Sequence, residues 1–416
     1  NTKTRVINQM AKKHILVIAD GRSPTAQSWI KSLLALDYDV SLISSFPCEP
    51  LPNLTHFFML PLAFSNILFK NTDSKSSEQL RPESNIRTIA KKFTRQLIRI
   101  RYYLGPISVL FSASKLRKYI NLVQPDIVHA LRIPFEGMAG RFTPKHIPFV
   151  VSSWGNDFTL HANASFLMRS MTKACLKRAN GFMADAQNDI DIAYQWGLAI
   201  DKPTLLVPGS SGIDLETILG ISIRDFKAEQ FGLPGDKPWI INPRGFRPGY
   251  IHNDTFLGSI PLVLKEKKDV IFIAPALAGL VDHPVLHDPD FSDNLYLLPK
   301  LSQTELWALF KRCIIMVSPS SHDGTPNSLL EALVCGCFPI AGDIKSVREW
   351  ITPGENGLLI DPLDPGALAK AILKALAEPG LIKQAQDYNM QLAKTRAGLV
   401  NTRPKIKSFY ENLLNK

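Results

Sequence analysis

The chain has 416 residues, too many for one ordinary hydrophobic core, so we expect two domains. Its content of 45% hydrophobic and 20% charged residues excludes a disordered chain and is typical of a soluble globular protein. The net charge is +11, and the five scattered cysteines predict neither a disulfide framework nor a zinc site, which favours a cytoplasmic, reducing environment.

The first half of the sequence alternates short apolar runs with helical patterns, which predicts parallel strand–helix units. His14 to Ala19 is nearly all apolar, as expected for a strand buried on both faces. Ser23 is a good N-cap and Pro24 a good first helical residue, so we predict a helix from there to about Leu36. Further strands are predicted at Asp39 to Ser45, His56 to Leu60, Asp126 to Leu131 and Pro148 to Ser153.

Positive charge is concentrated between Arg87 and Lys118, where nine basic residues occur without an acidic one. Apolar residues such as Phe93, Leu97 and Ile100 are interleaved with them. The pattern favours a helix that lies on an anionic membrane surface, at the inner membrane face, or that reaches a phosphorylated acceptor. The alternative is a solvated basic helix that packs its apolar stripe on the domain. No nucleic-acid partner is expected, because no binding motif or stacking platform accompanies the charge.

A second series of strands and helices begins after Pro208 to Gly212, a turn-rich segment that we interpret as an interdomain linker. Its predicted strands are Trp239 to Asn242, Val270 to Ala274, Leu295 to Leu298, Ile314 to Val317, Pro339 to Ala341 and Gly357 to Ile360. Two parallel-sheet domains that face each other across a cleft would place a ligand at the carboxyl ends of both sheets.

The most informative segment runs from Ser318 to Glu331 and predicts a loop followed by a helix that begins near Asn327. The amino end of a helix presents unpaired N–H groups and partial positive charge, which attract a diphosphate. Glu331 would lie about one turn inside the helix, within reach of ribose hydroxyls, and Asp323 in the loop could contact a bound sugar. Taken alone, the same pattern is common in ordinary strand-to-helix turns.

The longer context of this segment carries a family resemblance. After Asp323 and Glu331 come Ala332, Leu333, Gly336, Pro339, Val347 to Glu349, Gly354, Gly357 to Leu359, Asp361, Pro362 and Asp364. This series resembles the donor half of glycosyltransferase family four, a large retaining group with the GT-B fold. The linker from Pro208 to Asp214 is similar to the family's Gly-x-Asp turn, and weaker similarity extends over most of residues 14 to 380.

The resemblance implies an α/β GT-B fold, with two Rossmann-like domains that face a central cleft. We expect an acceptor-side domain at 1–208, a donor domain at 209–390 and a C-terminal helix at 391–416 that returns to the first domain. The implied donor is a nucleotide sugar, with UDP-sugars such as UDP-glucose favoured on family frequency, and neither a cofactor nor a metal ion is expected. Retention in this family is usually explained by front-face attack, so we name no protein nucleophile.

Roles of individual residues follow from the resemblance only where this sequence matches it. Glu331 would hold the ribose, and Asp323, which replaces the usual glutamate, would act on the sugar. The phosphates and sugar of the donor would contact one segment: Gly324, Thr325, Pro326, Asn327, Ser328 and Leu329. Arg244 resembles the arginine that neutralises the leaving diphosphate. The lysine usual after it is missing, and Arg247 is our candidate replacement.

In the first domain, Gly21, Arg22 and Ser23 form the turn that should face the diphosphate and acceptor. Trp154 and Asp157 follow a strand and should also line the cleft, which makes Asp157 a catalytic candidate beside Asp323 and Arg244. The alternatives are a helix cap for Ser23 and an ordinary loop aspartate for Asp157.

The sequence therefore predicts a retaining, metal-independent glycosyltransferase that uses a glycan or lipid-linked acceptor in polysaccharide or glycolipid synthesis. One alternative is a sugar-nucleotide epimerase or phosphorylase on the same fold. Another is a catalytically weak subunit that binds a nucleotide sugar, which Asp323 and the missing lysine suggest. Asp288-Pro289-Asp290 is similar to the metal motif of the other large transferase fold, but we interpret it as a surface turn.

Overall fold

The computed structural model describes residues 12–65, 85–247, 249–278, 283, 285 and 291–415, with the backbone alone for residues 85–99 and 292. The motif at Asp288 to Asp290 lies outside these residues. Two parallel sheets form the framework of the molecule and confirm the predicted architecture of two Rossmann-like halves.

The first sheet is built from β1 (His14–Ala19), β2 (Asp39–Ser44), β3 (Phe57–Met59), β4 (Ile127–Ala130), β5 (Phe149–Ser153), β6 (Gly181–Ala184) and β7 (Thr204–Leu206). Its order is β3-β2-β1-β4-β5-β6-β7, and neighbouring strands pair in parallel. The strands that we predicted in this half are all present. β6 and β7 were not predicted from the sequence, since runs of three or four residues carry little periodicity.

Helices cover both faces of the first sheet. They are α1 (Pro24–Ala35), α2 (Asn85–Val123), α3 (Met138–Gly140), α4 (Phe166–Arg178) and α5 (Gln187–Gln195). Ser23 caps α1 as predicted, and its hydroxyl accepts a hydrogen bond from the Ala26 N–H at 3.5 Å. A kinked segment at Ile133–Gly137, in which Pro134 and Phe135 have non-helical backbone angles, follows β4, and a single π-helical turn at Asp157–His161 follows β5. Irregular backbone is therefore concentrated at the carboxyl ends of these strands.

The second sheet contains β8 (Trp239–Ile241), β9 (Ile271–Pro275), β10 (Leu295–Leu298), β11 (Ile315–Ser318), β12 (Phe338–Gly342) and β13 (Leu358–Ile360). Its parallel order is β10-β9-β8-β11-β12-β13. The accompanying helices are α6 (Leu215–Gly220), α7 (Asn253–Glu266), α8 (Gln303–Arg312), α9 (Asn327–Val334), α10 (Lys345–Arg348), α11 (Pro365–Ala377) and α12 (Pro379–Ala397). Every strand predicted in this half is present.

The last helix, α13 (Leu399–Leu414), crosses back to the first domain, as the resemblance implied. Its Tyr410 hydroxyl lies 2.6 Å from Nδ1 of His129 and accepts a hydrogen bond from Trp29 Nε1 at 3.4 Å. The other ring nitrogen of His129 lies 2.8 Å from Ser152 Oγ. Burial lowers the pKa of His129 to about 3, so this histidine is a neutral structural residue that anchors α13.

Direct contacts hold the two domains together beside the cleft. The Glu349 carboxylate of the second domain accepts hydrogen bonds from the backbone N–H groups of Gln187 and Asn188, at 2.9 and 3.0 Å. These N–H groups belong to the first turn of α5, where a carboxylate is favoured by the helix dipole. Nearby, the Thr325 hydroxyl donates to the carbonyl oxygen of Asp185. The carboxyl ends of the two sheets therefore meet at one defined cleft.

Candidate active site

A cleft of about 460 Å³ lies between the carboxyl ends of the two sheets. Its second-domain wall contains eight of the predicted donor residues: Arg244, Arg247, Asp323, Thr325, Pro326, Asn327, Ser328 and Glu331. Ser23 and Trp154 lie in the first-domain wall, as predicted. The fold thus brings together side chains from the two halves of the chain.

The amino end of α9 forms the centre of the second-domain wall. Pro326 precedes the helix and supplies no side-chain cap to it. The first-turn N–H groups are therefore suited to an anionic ligand, as at other helix termini. Asn327 donates its side-chain amide to Ser210 Oγ at 2.6 Å, which fixes the start of the helix against the linker.

Arg244 lies in the wall of the cleft, and its side chain is held at several points. Nη1 donates to Ser328 Oγ at 3.1 Å, and Nη2 forms an ion pair with the carboxylate of Asp323. The side chains of Arg244 and Asp323 are only 7% and 13% exposed. Burial raises the pKa of Asp323, whereas Arg244 and Arg247 oppose that rise. Asp323 thus orients Arg244 toward Ser328 at the first turn of α9.

Arg247 and Glu331 lie on either side of this pair. Arg247 is exposed at the rim of the cleft, so its contribution to any bound anion is more strongly screened by solvent than that of Arg244. Glu331 lies one turn inside α9, beside Gln303 and Trp307 of α8. Burial raises the pKa of Glu331 to about 7, although these two neighbours partly offset it.

Asp185, in the first domain, faces the loop that contains Asp323 and Gly324, and it was not predicted from the sequence. It follows β6 directly, and its Oδ2 accepts a hydrogen bond from the Gly155 N–H at 3.3 Å. Among the described residues, Oδ1 has no hydrogen-bond partner, although it is buried. Burial raises the pKa of Asp185 well above its usual value, and the nearby Asp323 adds to the rise. A Cβ atom at Gly324 would overlap both carboxylate oxygens of Asp185, so position 324 favours glycine.

Asp157, which we predicted as catalytic, lies beneath the cleft and not in its wall. Its side chain is fully buried. Oδ1 accepts hydrogen bonds from the Nε and Nη2 atoms of Arg132, the first at 3.0 Å, and Oδ2 accepts from the backbone N–H groups of Ile133 and Trp154. Arg132, which the sequence reasoning missed, does line the cleft. The structure therefore makes Asp157 a positioning residue for Arg132.

Four of the predicted donor residues do not line the cleft. Gly324 is covered by Asp185, and Leu329 is buried in the core of the second domain. Gly21 is buried, and neighbouring side chains leave no room there for a Cβ atom. Arg22 lines a neighbouring cavity, where Asp20 accepts hydrogen bonds from its Nε and Nη2 at 3.1 Å.

In the part of the chain that the structure describes, no group of three or more His, Cys, Asp or Glu side chains is arranged to hold a metal ion. Within the same residues, no helix combines the length and apolar character needed to span a bilayer.

Comparison with known proteins identifies the family. A family model described as "Glycosyl transferases group 1" matches residues 288–392, and one described as "Glycosyl transferase 4-like" matches residues 77–186. Together they cover slightly more than half of the chain.

Individual relatives match more locally. The lipopolysaccharide core biosynthesis mannosyltransferase LpcC of Rhizobium leguminosarum bv. viciae is 26% identical over 123 residues, which are 30% of this chain and 34% of that protein. The N,N'-diacetylbacillosaminyl-diphospho-undecaprenol alpha-1,3-N-acetylgalactosaminyltransferase of Campylobacter jejuni is 24% identical over 234 residues, which are 56% of this chain and 58% of that protein. The matched segments therefore span less than two thirds of either relative.

Among solved structures, HepE from Anabaena in complex with UDP is similar over 96% of this chain and 100% of its own, with a TM-score of 0.69. The identity of 15% limits this likeness to the fold. The paired parallel sheets, the cleft between them and the two matching family models lead to the same assignment. The chain belongs to the GT-B glycosyltransferases of family four.

Proposed function

We propose that this protein is a retaining glycosyltransferase that moves a sugar from a UDP-sugar to a glycan or lipid-linked acceptor. The observation that carries the proposal is the position of the Arg244–Asp323 ion pair beside the amino end of α9, in one wall of an interdomain cleft. A donor bound along that wall would present its anomeric carbon to an acceptor held by the first domain.

The donor wall suits the three parts of a nucleotide sugar. The diphosphate would lie against Arg244, Ser328 and the first turn of α9, where charge and N–H donors coincide. The Glu331 carboxylate would accept hydrogen bonds from the ribose hydroxyls. HepE, which shares the fold, has been solved with UDP and with UDP-glucose, and this supports uridine as the base.

The chemistry follows from where charge develops during transfer. The bond between the anomeric carbon and the diphosphate oxygen breaks, and its electron pair leaves with the nucleoside diphosphate. Arg244, Arg247 and the helix terminus stabilise the growing negative charge, so the chain itself can supply the function that a metal ion has elsewhere. The acceptor oxygen then bonds to the same face of the anomeric carbon, and its proton passes to the departing phosphate. Configuration is retained without a protein nucleophile.

The acceptor would be reached at the inner face of a membrane, through an exposed surface of α2. Phe111 is 79% exposed and Tyr103 58% exposed, and the basic residues Lys115, Arg117 and Lys118 follow on the same helix. The side chains of residues 87–99, which belong to the predicted basic stretch, lie outside the described part. The exposed apolar side chains can insert at the membrane interface, and the cations beside them attract anionic lipids, so both features fit an anionic leaflet.

A donor-turnover assay tests the transferase proposal. The purified protein is incubated with UDP-glucose, UDP-N-acetylglucosamine or GDP-mannose and a panel of glycan and lipid-linked acceptors, and release of nucleoside diphosphate is measured. We expect UDP release that depends on an acceptor, and an NMR spectrum of the product that shows the anomeric configuration of the donor. An inverted product contradicts retention. Isomerised donor without release indicates an epimerase, sugar 1-phosphate indicates a phosphorylase, and binding without release indicates a binding subunit.

Vesicle flotation tests the membrane proposal. We expect the protein to float with phosphatidylglycerol–phosphatidylcholine vesicles and not with phosphatidylcholine alone. Phe111→Asp should reduce flotation, whereas Phe166→Asp, at an equally exposed phenylalanine on α4, should not. Equal loss in both variants, or no binding to the anionic vesicles, would contradict the docking surface.

A further inference from the structure

A second cavity, of about 400 Å³, adjoins the donor cleft on its first-domain side. Ser23, Arg132 and Trp154 line both spaces, so the two are contiguous. The second cavity lies at the carboxyl ends of strands of the first sheet, with Asp20 after β1 and Arg132 after β4 in its wall. Its volume is within the range of small-molecule sites. We call it the acceptor cavity.

Arginine dominates the wall of the acceptor cavity. Arg22, Arg101 and Arg132 all line it. The guanidinium carbon of Arg22 lies 4.0 Å from the ring centroid of Phe46, and that of Arg101 lies 4.7 Å from the ring centroid of Phe135. Stacking on an aromatic face orients a guanidinium plane and directs its N–H groups along that plane, which is the geometry that binds carboxylate and phosphate.

The acidic groups of the wall do not cancel this charge. Asp20 pairs with Arg22, and the only other acidic side chain among the described lining residues is Glu136. Glu136 accepts a hydrogen bond of 2.5 Å from Ser45, and burial raises its pKa, which favours the neutral form. The negative charge of Asp157, which lies below the wall, offsets the positive charge of Arg132. Among the described residues that line the cavity, three guanidinium groups therefore face two carboxyl groups, and the balance is positive.

The uncharged groups of the wall are consistent with a positive potential. His161 Nδ1 lies 2.8 Å from the Tyr102 hydroxyl. Burial lowers the pKa of His161 to about 3, with Arg132 and Arg101 adding to the effect, so the imidazole is neutral. Phe135, which stacks on Arg101, has a φ of 64° and a ψ of −54°, an unfavourable conformation for a bulky residue. The wall is therefore shaped by strained, closely packed backbone.

We propose that the acceptor cavity selects an acceptor that carries an anionic group, phosphate or carboxylate, which Arg22 and Arg101 recognise. This inference rests on the proposed function, because it names the substrate class for the first-domain side of the same site. Arg132 lies at the junction of the two spaces, where it would hold the acceptor between the anionic group and the reacting hydroxyl. Trp154 at the same junction separates the acceptor from the donor diphosphate.

Titration calorimetry with three hexoses tests the inference: glucose 6-phosphate, glucuronate and glucose, each with and without saturating UDP. We expect at least one of the charged sugars to bind about tenfold or more tightly than glucose. Preference for glucose 6-phosphate identifies a phosphate, and preference for glucuronate identifies a carboxylate. Equal affinity for all three, or no binding of either charged sugar at millimolar concentration, would overturn the proposal.

The variants separate this proposal from the donor site. Arg101→Gln should weaken binding of the charged sugar about tenfold, whereas Lys145→Gln, the same charge change at an exposed residue outside both cavities, should not. UDP affinity should be unchanged in Arg101→Gln, because Arg101 does not line the donor cleft. Arg22→Gln serves as a second variant if Arg101→Gln fails to fold. Equal affinity for the charged sugar in wild type and the arginine variants would overturn the proposal, whereas loss of UDP binding alone would count against the donor site.

Discussion

The donor wall and the acceptor cavity are built in different ways, although they share one cleft. The donor wall comes largely from two short segments, Asn242 to Tyr250 and Ser318 to Glu331, in which loop, helix terminus and charged side chains are neighbours in sequence. The acceptor cavity draws its lining from several separate segments between positions 19 and 161, which only the folded sheet brings together. The residues of the donor wall are thus mostly neighbours in sequence, whereas those of the acceptor cavity are brought together by tertiary packing.

The sharpest test of the donor wall compares its two arginines. Arg244→Gln should lower the rate of sugar transfer about 100- to 1000-fold, because it removes a preorganised cation from the site where charge develops. Arg247→Gln should cost about tenfold, since Arg247 is exposed and screened. Steady-state release of nucleoside diphosphate measures both. Equal losses in the two variants would mean that burial of Arg244 against Asp323 does not determine its role.

On the acceptor side, the largest effect on stability is expected at Asp157, whose buried carboxylate holds the Arg132 side chain in place. Asp157→Asn should lower the free energy of unfolding by about 3 kcal/mol, because it leaves a partly buried guanidinium without its counter-charge. Denaturant titration measures this change. The same variant should raise the KM for the acceptor and leave UDP affinity within twofold of wild type, as a positioning role predicts. Reduced UDP affinity with unchanged stability would instead place Asp157 in direct contact with the donor.

The contact between the two domains beside the donor wall can be tested at Gly324. Gly324→Ala should lower the free energy of unfolding by about 2 kcal/mol, because the new Cβ atom overlaps the Asp185 carboxylate. Gly220→Ala is the matched control, since no atom lies within 4 Å of the added carbon. Thermal unfolding of both variants measures the difference. Adding Asp185→Ala to Gly324→Ala should restore much of the loss, and a double variant that is no more stable than Gly324→Ala would contradict the overlap.

The smallest expected effect is a change in pH dependence at Glu331. Its pKa is about 7 in the folded protein, above the ordinary value, so the folded state holds a proton that the unfolded state releases. The contribution of this group to stability is therefore full below pH 4.5 and is lost as the pH rises through 7. Glu331→Gln cannot titrate, so its Tm relative to wild type should be about 2–4 °C higher at pH 8 than at pH 5. A Tm difference that does not change with pH would contradict the raised pKa.

The contrast between the two regions also explains what the sequence could predict. The strand-to-helix loop before α9 was predicted because N-terminal helix chemistry and the family pattern lie in one segment. Asp185 follows β6 directly and Arg132 lies two residues after the end of β4, so the rule that ligands bind at carboxyl strand ends could have found them. The role of Asp157 could not be found in this way, because its burial and its bonds to Arg132 depend on how two loops pack. Arg22 was predicted for the donor side, but its stacking on Phe46 and pairing with Asp20 direct it to the acceptor cavity.

The most direct test of the central claim is a calorimetric titration of UDP, GDP, ADP and TDP into wild type, Glu331→Gln and Arg101→Gln at pH 8. If the donor wall binds a nucleotide through a contact between Glu331 and the ribose, one of the four nucleotides should bind wild type and Arg101→Gln with equal affinity. The same nucleotide should bind Glu331→Gln about tenfold more weakly. If no nucleotide binds at millimolar concentration, or if Glu331→Gln binds as well as wild type, the assignment of this wall to the donor is contradicted.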